Sequence, residues 1–178
     1  MREEIVIGGF GGQGVILAGN LLAWAAMQSG YEVTAMFSYG AEMRGGTANT
    51  SVIISSDPVG SPVVLNPTMA LLMNDGSIEK YIPQMKPGAL CLINSSVCRA
   101  APSGNGLRYI FIPANELASR AGEVKSANIV MLGCLLAAAG VAEIKNMEQA
   151  VEIYFKKKKN DLIKFNLAAL AAGFSYKL

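Results

Sequence analysis

The chain has 178 residues, of which 52% are hydrophobic and only 16% charged, and its formal net charge is +2. That length suits one domain with a real core, and so small a charge, with no basic residues interleaved among aromatics, excludes nucleic acid as the natural partner. Soluble domains usually carry about 25% charged residues, so this chain either buries much of itself or hides surface against a partner.

In chain order, Ile5–Gly8 reads as a first strand, followed by the glycine loop GGFGGQG and a helix from Val15 to Ser29 that Gly30 ends. Tyr31–Phe37 is a second strand, SYGAEMRGG a loop, and Thr47–Ser55 a β-branched third strand. Asp57-Pro58 and Gly60-Ser61-Pro62 mark turns. Met69–Met73 is a short buried strand, and Ser77–Met85 a short helix with Ser77 as its N-cap. Ala89–Asn94 and Leu107–Pro113 are further strands. Beyond them the chain is helical: Ala114–Gly122, a buried Ala127–Ala139, an amphipathic Met147–Lys159 and Asn160–Gly173. Strands alternating with helices predict an α/β fold. The expected architecture is a three-layer, Rossmann-like single domain over 1–178, with a mostly parallel sheet and a helical C-terminal third.

Several chemistries are missing. There is no histidine, the usual general base near neutral pH and the commonest metal ligand. Cys91, Cys98 and Cys134 form no CxxC pair, cannot supply a four-thiolate cluster and read as free thiols of a reducing cytoplasm. No secretory signal is visible and no apolar run reaches the roughly 20 residues of a membrane span, so the expected location is cytoplasmic with no membrane association.

Gly9-Phe10-Gly11-Gly12-Gln13-Gly14 satisfies G-x-G-x-x-G between a strand and a helix. Such a loop permits close backbone approach, and the helix start behind it favours anions. A dinucleotide site also needs an acid at the end of the second strand to hold the ribose. That strand ends Thr34-Ala35-Met36-Phe37-Ser38, without one. The loop is then either a dinucleotide site lacking its second part or a tight turn that faces a partner. In SYGAEMRGG, Glu42 and Arg44 lie between glycines. They form either an internal ion pair or a pair of positioning residues, with Arg44 suited to bidentate contact. Gly133 inside an apolar helix implies close packing against a neighbour. Ser126-Ala127-Asn128 reads as a helix-cap region, or as an interface role for Asn128. Lys156–Lys159 reads as a solvated helix end.

Taken together, GGFGGQG, then SYGAEMRGGTANTSVIIS, then GSPVV, then SANIVMLG resemble the gamma subunit of 2-oxoacid:ferredoxin oxidoreductases, over essentially the whole chain. The free-standing gamma chains of the 2-oxoglutarate and branched-chain (2-ketoisovalerate) enzymes fit better than the pyruvate type, and indolepyruvate enzymes share the N-terminal glycines. The resemblance implies an accessory subunit of an enzyme that converts a 2-oxoacid, coenzyme A and oxidised ferredoxin to acyl-CoA, carbon dioxide and reduced ferredoxin. It implies that thiamine diphosphate, Mg and the iron–sulfur clusters sit in alpha, beta and delta (ferredoxin-like) subunits, this chain binding none alone. Gly9, Gly11, Gly12, Gln13, Gly14, Gly45 and Gly46 would then present backbone near those partners, with Glu42 and Arg44 as positioning residues. The alternatives are a free-standing dinucleotide-binding oxidoreductase domain and a generic α/β interaction module. A homodimer of the isolated chain is a further expectation.

Overall fold

The computed structural model describes residues 1–39, 47–100, 102, 106–156 and 160–177. One six-stranded sheet runs through it, built from β1 (Arg2–Phe10), β2 (Glu32–Tyr39), β3 (Thr47–Ser55), β4 (Met69–Leu72), β5 (Leu90–Asn94) and β6 (Arg108–Ile112). Their spatial order is β2-β3-β1-β4-β5-β6. β4 pairs parallel with β1 and β5, and β6 parallel with β5. β3 pairs antiparallel with both β1 and β2, so it alone runs against the other five. The predicted strands all occur, and β3 has the predicted bounds. What the β-branched pattern of TANTSVIIS cannot express is direction: β3 folds back on β2 as the second arm of a hairpin.

Among the described residues six helices accompany the sheet: α1 (Val15–Gln28), α2 (Asp75–Tyr81), α3 (Ala114–Arg120), α4 (Ala127–Ala139), α5 (Ile144–Phe155) and α6 (Asn160–Phe174). The larger core joins α1, α3, α4, α5 and α6 to the sheet side that carries Ile5, Ile7, Val52, Ile54, Leu71 and Leu92. The opposite side, with Val6, Ala70, Leu72, Cys91 and Ile93, packs against Ile78, Tyr81 and Ile82 of α2 and the short 3-10 turn after it. The layers are therefore unequal, with most helices on one side. Alternation along the buried strands feeds both cores, so β4 throughout and β5 up to Ile93 are apolar at every residue rather than at every second one.

Local chemistry explains the helix ends. α2 starts two residues before the predicted Ser77, because the Asn74 side chain is the cap: its Oδ1 accepts the Ser77 N–H at 2.7 Å. α1 ends where Gly30 takes φ +88. α5 begins at Ile144 and ends at Phe155, earlier at both ends than predicted, and Lys157–Lys159 lie outside the described residues. α4 has its predicted bounds, with ten of its residues buried, from Ala127 to Leu136. Its Gly133 has the expected neighbour: a Cβ there would strike the Leu170 carbonyl oxygen and the Phe174 nitrogen of α6. In return, a Cβ on Gly173 would strike Val130 backbone, so each glycine lets the other helix in.

Candidate functional site

The chain leaves β1 through α1 towards β2 on one side of the sheet. It leaves β4 through α2 towards β5 on the other. The crevice between the C-terminal ends of β1 and β4 is thus the topological switch point, where open α/β sheets bind ligands. The glycine loop forms one wall and Met73-Asn74-Asp75 the other.

The side chain of Gln13 spans that crevice. Its Oε1 accepts the Phe10 N–H at 2.7 Å and its Nε2 donates to the Met73 carbonyl at 2.8 Å. The Gln13 N–H also donates to the Phe10 carbonyl at 3.2 Å. A Cβ at Gly9 would meet Gln13 Oε1 at 2.7 Å and Val15 Cγ2 at 2.8 Å, so a side chain there would displace the clamp. A Cβ at Gly8 would meet Ser77 Oγ at 2.7 Å, which brings α2 against β1. Gly14 takes φ 73 at the start of α1, with no side-chain cap on that helix. Its carbonyl accepts both the Ala18 N–H at 2.9 Å and Asn128 Nδ2 at 3.0 Å. Asn128 is therefore neither a helix cap nor a surface residue. It is buried and ties the first turn of α4 to the glycine loop.

Beside this tie lies a cavity of ≈ 230 Å³ whose lining includes Gly12, Gly14, Leu17, Lys125, Asn128 and Asn166. Across the crevice, Asn74 Nδ2 is buried with no hydrogen-bond partner among the described residues. Asp75 Oδ1 accepts the N–H groups of Arg99 and Ala100 at 2.7 and 2.8 Å. Asn74 and Asp75 are thus engaged in a helix cap and a loop anchor, and this Asn-Asp-Gly does not fit a thiamine diphosphate–magnesium motif. Further along the same edge, Asn94, Ser96, Asn115 and Glu116 form a hydrogen-bonded group. The Ser96 hydroxyl holds the Glu116 carboxyl below its usual range, with help from the backbone and from Arg120 and Arg99.

Of the residues singled out in the sequence, Gly11, Gly12, Gln13 and Gly14 form the strand-to-helix turn, whereas Gly9, expected in the loop, lies in β1 and pairs with Ala48, because the strand runs on to Phe10. Glu42, Arg44, Gly45 and Gly46 lie outside the described residues. The register of their flanks is described: Tyr39 pairs with Ala48, and Thr47 with Phe10, at the glycine-loop end of the sheet. β2 ends at this same edge in Phe37, Ser38 and Tyr39, with no carboxylate. The three cysteines are free and buried; burial raises Cys91 and Cys134 to about 12 and Cys98 to about 11. Among the described residues no group of three or more His, Cys, Asp or Glu could hold a metal ion, and no helix is long and apolar enough to cross a membrane. The tie from Asn128 to Gly14 and the clamp from Gln13 to Met73 join residues 114 and 60 apart, separations that no local pattern reveals.

Compared with known families, residues 4–176 match the model described as pyruvate ferredoxin/flavodoxin oxidoreductase. The chain belongs to this family. Its relatives include a 2-oxoglutarate synthase subunit, KorC, of Methanocaldococcus jannaschii, 36% identical over 98% of this chain and 93% of that one. The ketoisovalerate oxidoreductase subunit VorA of Methanothermobacter thermautotrophicus is 36% identical over 96% of this chain but only 35% of its own length. The chain thus spans about a third of that relative. Among solved structures, the gamma subunit of a keto/oxoacid ferredoxin oxidoreductase from Geobacter sulfurreducens superposes with TM-score 0.84. It is 32% identical and covers 98% of this chain and 95% of that one. The 2-oxoglutarate:ferredoxin oxidoreductase of Magnetococcus marinus, solved with 2-oxoglutarate, coenzyme A and succinyl-CoA bound, gives TM-score 0.88 at 26% identity. There the match covers 98% of this chain and 30% of that one.

Proposed function

We propose that this chain is the gamma subunit, as one domain over 1–178, of a thiamine diphosphate-dependent 2-oxoacid:ferredoxin oxidoreductase. The enzyme oxidatively decarboxylates 2-oxoglutarate or a branched-chain 2-oxoacid to the acyl-CoA and carbon dioxide, with coenzyme A as co-substrate and ferredoxin as electron acceptor. Alpha, beta and delta (ferredoxin-like) subunits hold the thiamine diphosphate, Mg and iron–sulfur clusters, and this chain holds none of them. The observation that carries this reading is the near end-to-end match to separate subunits, 93% of the 2-oxoglutarate synthase chain and 95% of the gamma-subunit structure.

The geometry supports an accessory role. Gln13 occupies the crevice where a dinucleotide's phosphates would lie, and β2 lacks the ribose-binding acid, which disfavours a free-standing dinucleotide enzyme. What the glycine edge offers is backbone and small residues, a surface suited to close packing by another chain. Glu42 and Arg44 act there as positioning residues beside Gly45 and Gly46.

The test is co-expression with the partner subunits, followed by an assay of oxoacid- and coenzyme A-dependent viologen reduction. Activity is expected only in the assembled enzyme, and Arg44→Ala weakens assembly or turnover. Turnover by this chain alone, or flavin absorbance in the isolated chain, overturns the reading. An Arg44→Ala enzyme that assembles and turns over normally removes Arg44 from it.

A further inference from the structure

The sheet has two edge strands, β6 and β2, and they differ. β6 has five residues, begins at Arg108 and is followed by Pro113. Arg108 N–H donates to Ala89 and the Ile112 carbonyl accepts from Ser95, so the alternate residues Tyr109 and Phe111 turn their backbone outward. The Phe111 carbonyl is met by the Tyr176 hydroxyl at 3.4 Å. β2 has eight residues, no Pro, Lys or Arg, and an unbroken register with β3. Charge, Pro and bulges are the devices that keep an exposed edge from pairing, and β2 lacks them along its middle.

The direction of its backbone groups follows from the pairing. Thr68 N–H donates to the Glu4 carbonyl and Met73 N–H to that of Gly8, so even-numbered β1 residues face β4 and odd-numbered ones face β3. The odd residues are opposite Ala48, Thr50, Val52 and Ile54. That leaves Asn49, Ser51, Ile53 and Ser55 to bond β2 through Ser38, Met36, Thr34 and Glu32. The N–H and C=O groups of Val33, Ala35 and Phe37 therefore point away from the sheet. Among the described residues no backbone hydrogen bond from another segment reaches them.

We infer that this edge is a homotypic interface, in which β2 pairs antiparallel with β2 of a second copy about a two-fold axis at Ala35. The register is self-complementary. Val33 falls opposite Phe37 of the second copy and Ala35 opposite Ala35, so all six outward groups are satisfied by three hydrogen-bonded pairs. Glu32 is the sole charge in the strand and falls opposite Ser38, so no like charges meet. Met36 and Phe37, 46% and 47% exposed, come against Thr34 and Val33 of the other chain. α1 lies over β3, where Gly19 admits the Thr50 side chain, and it touches β2 on one side and β1 on the other. With strands about 4.8 Å apart its axis lies about 7 Å from the two-fold, so the two α1 helices stand about 14 Å apart, wider than direct helix packing, and the strands carry the contact. The result is one continuous twelve-stranded sheet, independent of the enzyme the subunit serves.

The isolated full chain is expected to sediment at twice the chain mass. Ala35→Pro removes one outward N–H and no β2–β3 bond, so it should give a monomer with unchanged circular dichroism. Ala35→Cys should form a covalent dimer on mild oxidation, since hydrogen-bonded antiparallel pairs place their Cα atoms about 5.5 Å apart. Hydrogen exchange should show Val33, Ala35 and Phe37 amides protected in the chain alone. A monomer throughout the micromolar range overturns the inference. So does a dimer that forms normally with Ala35→Pro and leaves Ala35→Cys unlinked, or protection that arises only when the partner subunits are added.

Discussion

Gln13 holds the glycine turn from within: one amide satisfies a donor on β1 and an acceptor after β4. Gln13→Ala should therefore cost about 1–2 kcal/mol, the net worth of two such bonds plus the groups left open. Gln13→Glu keeps the acceptor for Phe10 but puts a carboxylate against the Met73 carbonyl, and should cost at least as much. Urea unfolding midpoints of the two variants check this, and an unchanged midpoint for both would mean the clamp carries no energy. At Asn74 the same measurement tests the cap, with Asn74→Ala expected to cost about 1 kcal/mol. The sequence shows Gln13 as part of a motif and Asn74 only as the residue that follows the Met69–Met73 strand. Neither role is legible locally, because the first depends on a carbonyl 60 residues away and the second on where the helix begins.

At the scale of elements, the α4–α6 contact is the most demanding in the molecule. Gly133 and Gly173 admit backbone to backbone, so Gly133→Ala cannot be absorbed by a rotamer change and should cost about 1–3 kcal/mol or more. In an exposed helix the same substitution would stabilise by up to about 1 kcal/mol, so the sign of the change decides between packing and propensity. Thermal unfolding of the variant reads that sign directly. This contact was half legible: a glycine in an apolar helix announces a close neighbour, but not which one. Element types were legible almost throughout, because β-branched runs and turn residues differ so clearly in this chain. Strand direction in β3 was not, since pairing sense leaves no mark on a run such as TANTSVIIS. The edge at which the glycine loop and the end of β2 meet was legible, from the rule that ligands gather at the carboxyl ends of strands.

For the whole molecule, the three thiols report on both cores at once: Cys91 and Cys98 lie in the smaller core and Cys134 in the larger. An unfolded thiol ionises near 9, whereas burial holds Cys98 to about 11 and the other two to about 12. Below the unfolded value both states keep their protons and the contribution to stability is complete. Above it the unfolded state loses protons first, so stability falls as pH climbs towards the folded values. The urea midpoint should drop between about pH 8 and about pH 10. Cys134→Ala, less stable at both, should show a smaller drop; an identical drop would assign the effect to other groups. Native thiols should likewise react slowly with a disulfide reagent until the chain unfolds.

The reversed third strand also sets the order in which this sheet can be made. β1 precedes both of its sheet neighbours in the chain: β3 comes later, then β4. β2 and β3 are separated by only seven residues in the chain, so their antiparallel pairing is local and forms early. The apolar stretch from Ile5 to Ile7 must wait until the chain has grown to Leu72 before both its sides are covered. β1, an inner strand of the finished sheet, is thus made well before both its sides can be covered, and synthesis of the stretch from Ile5 to Leu72 is the window in which the chain most needs a chaperone.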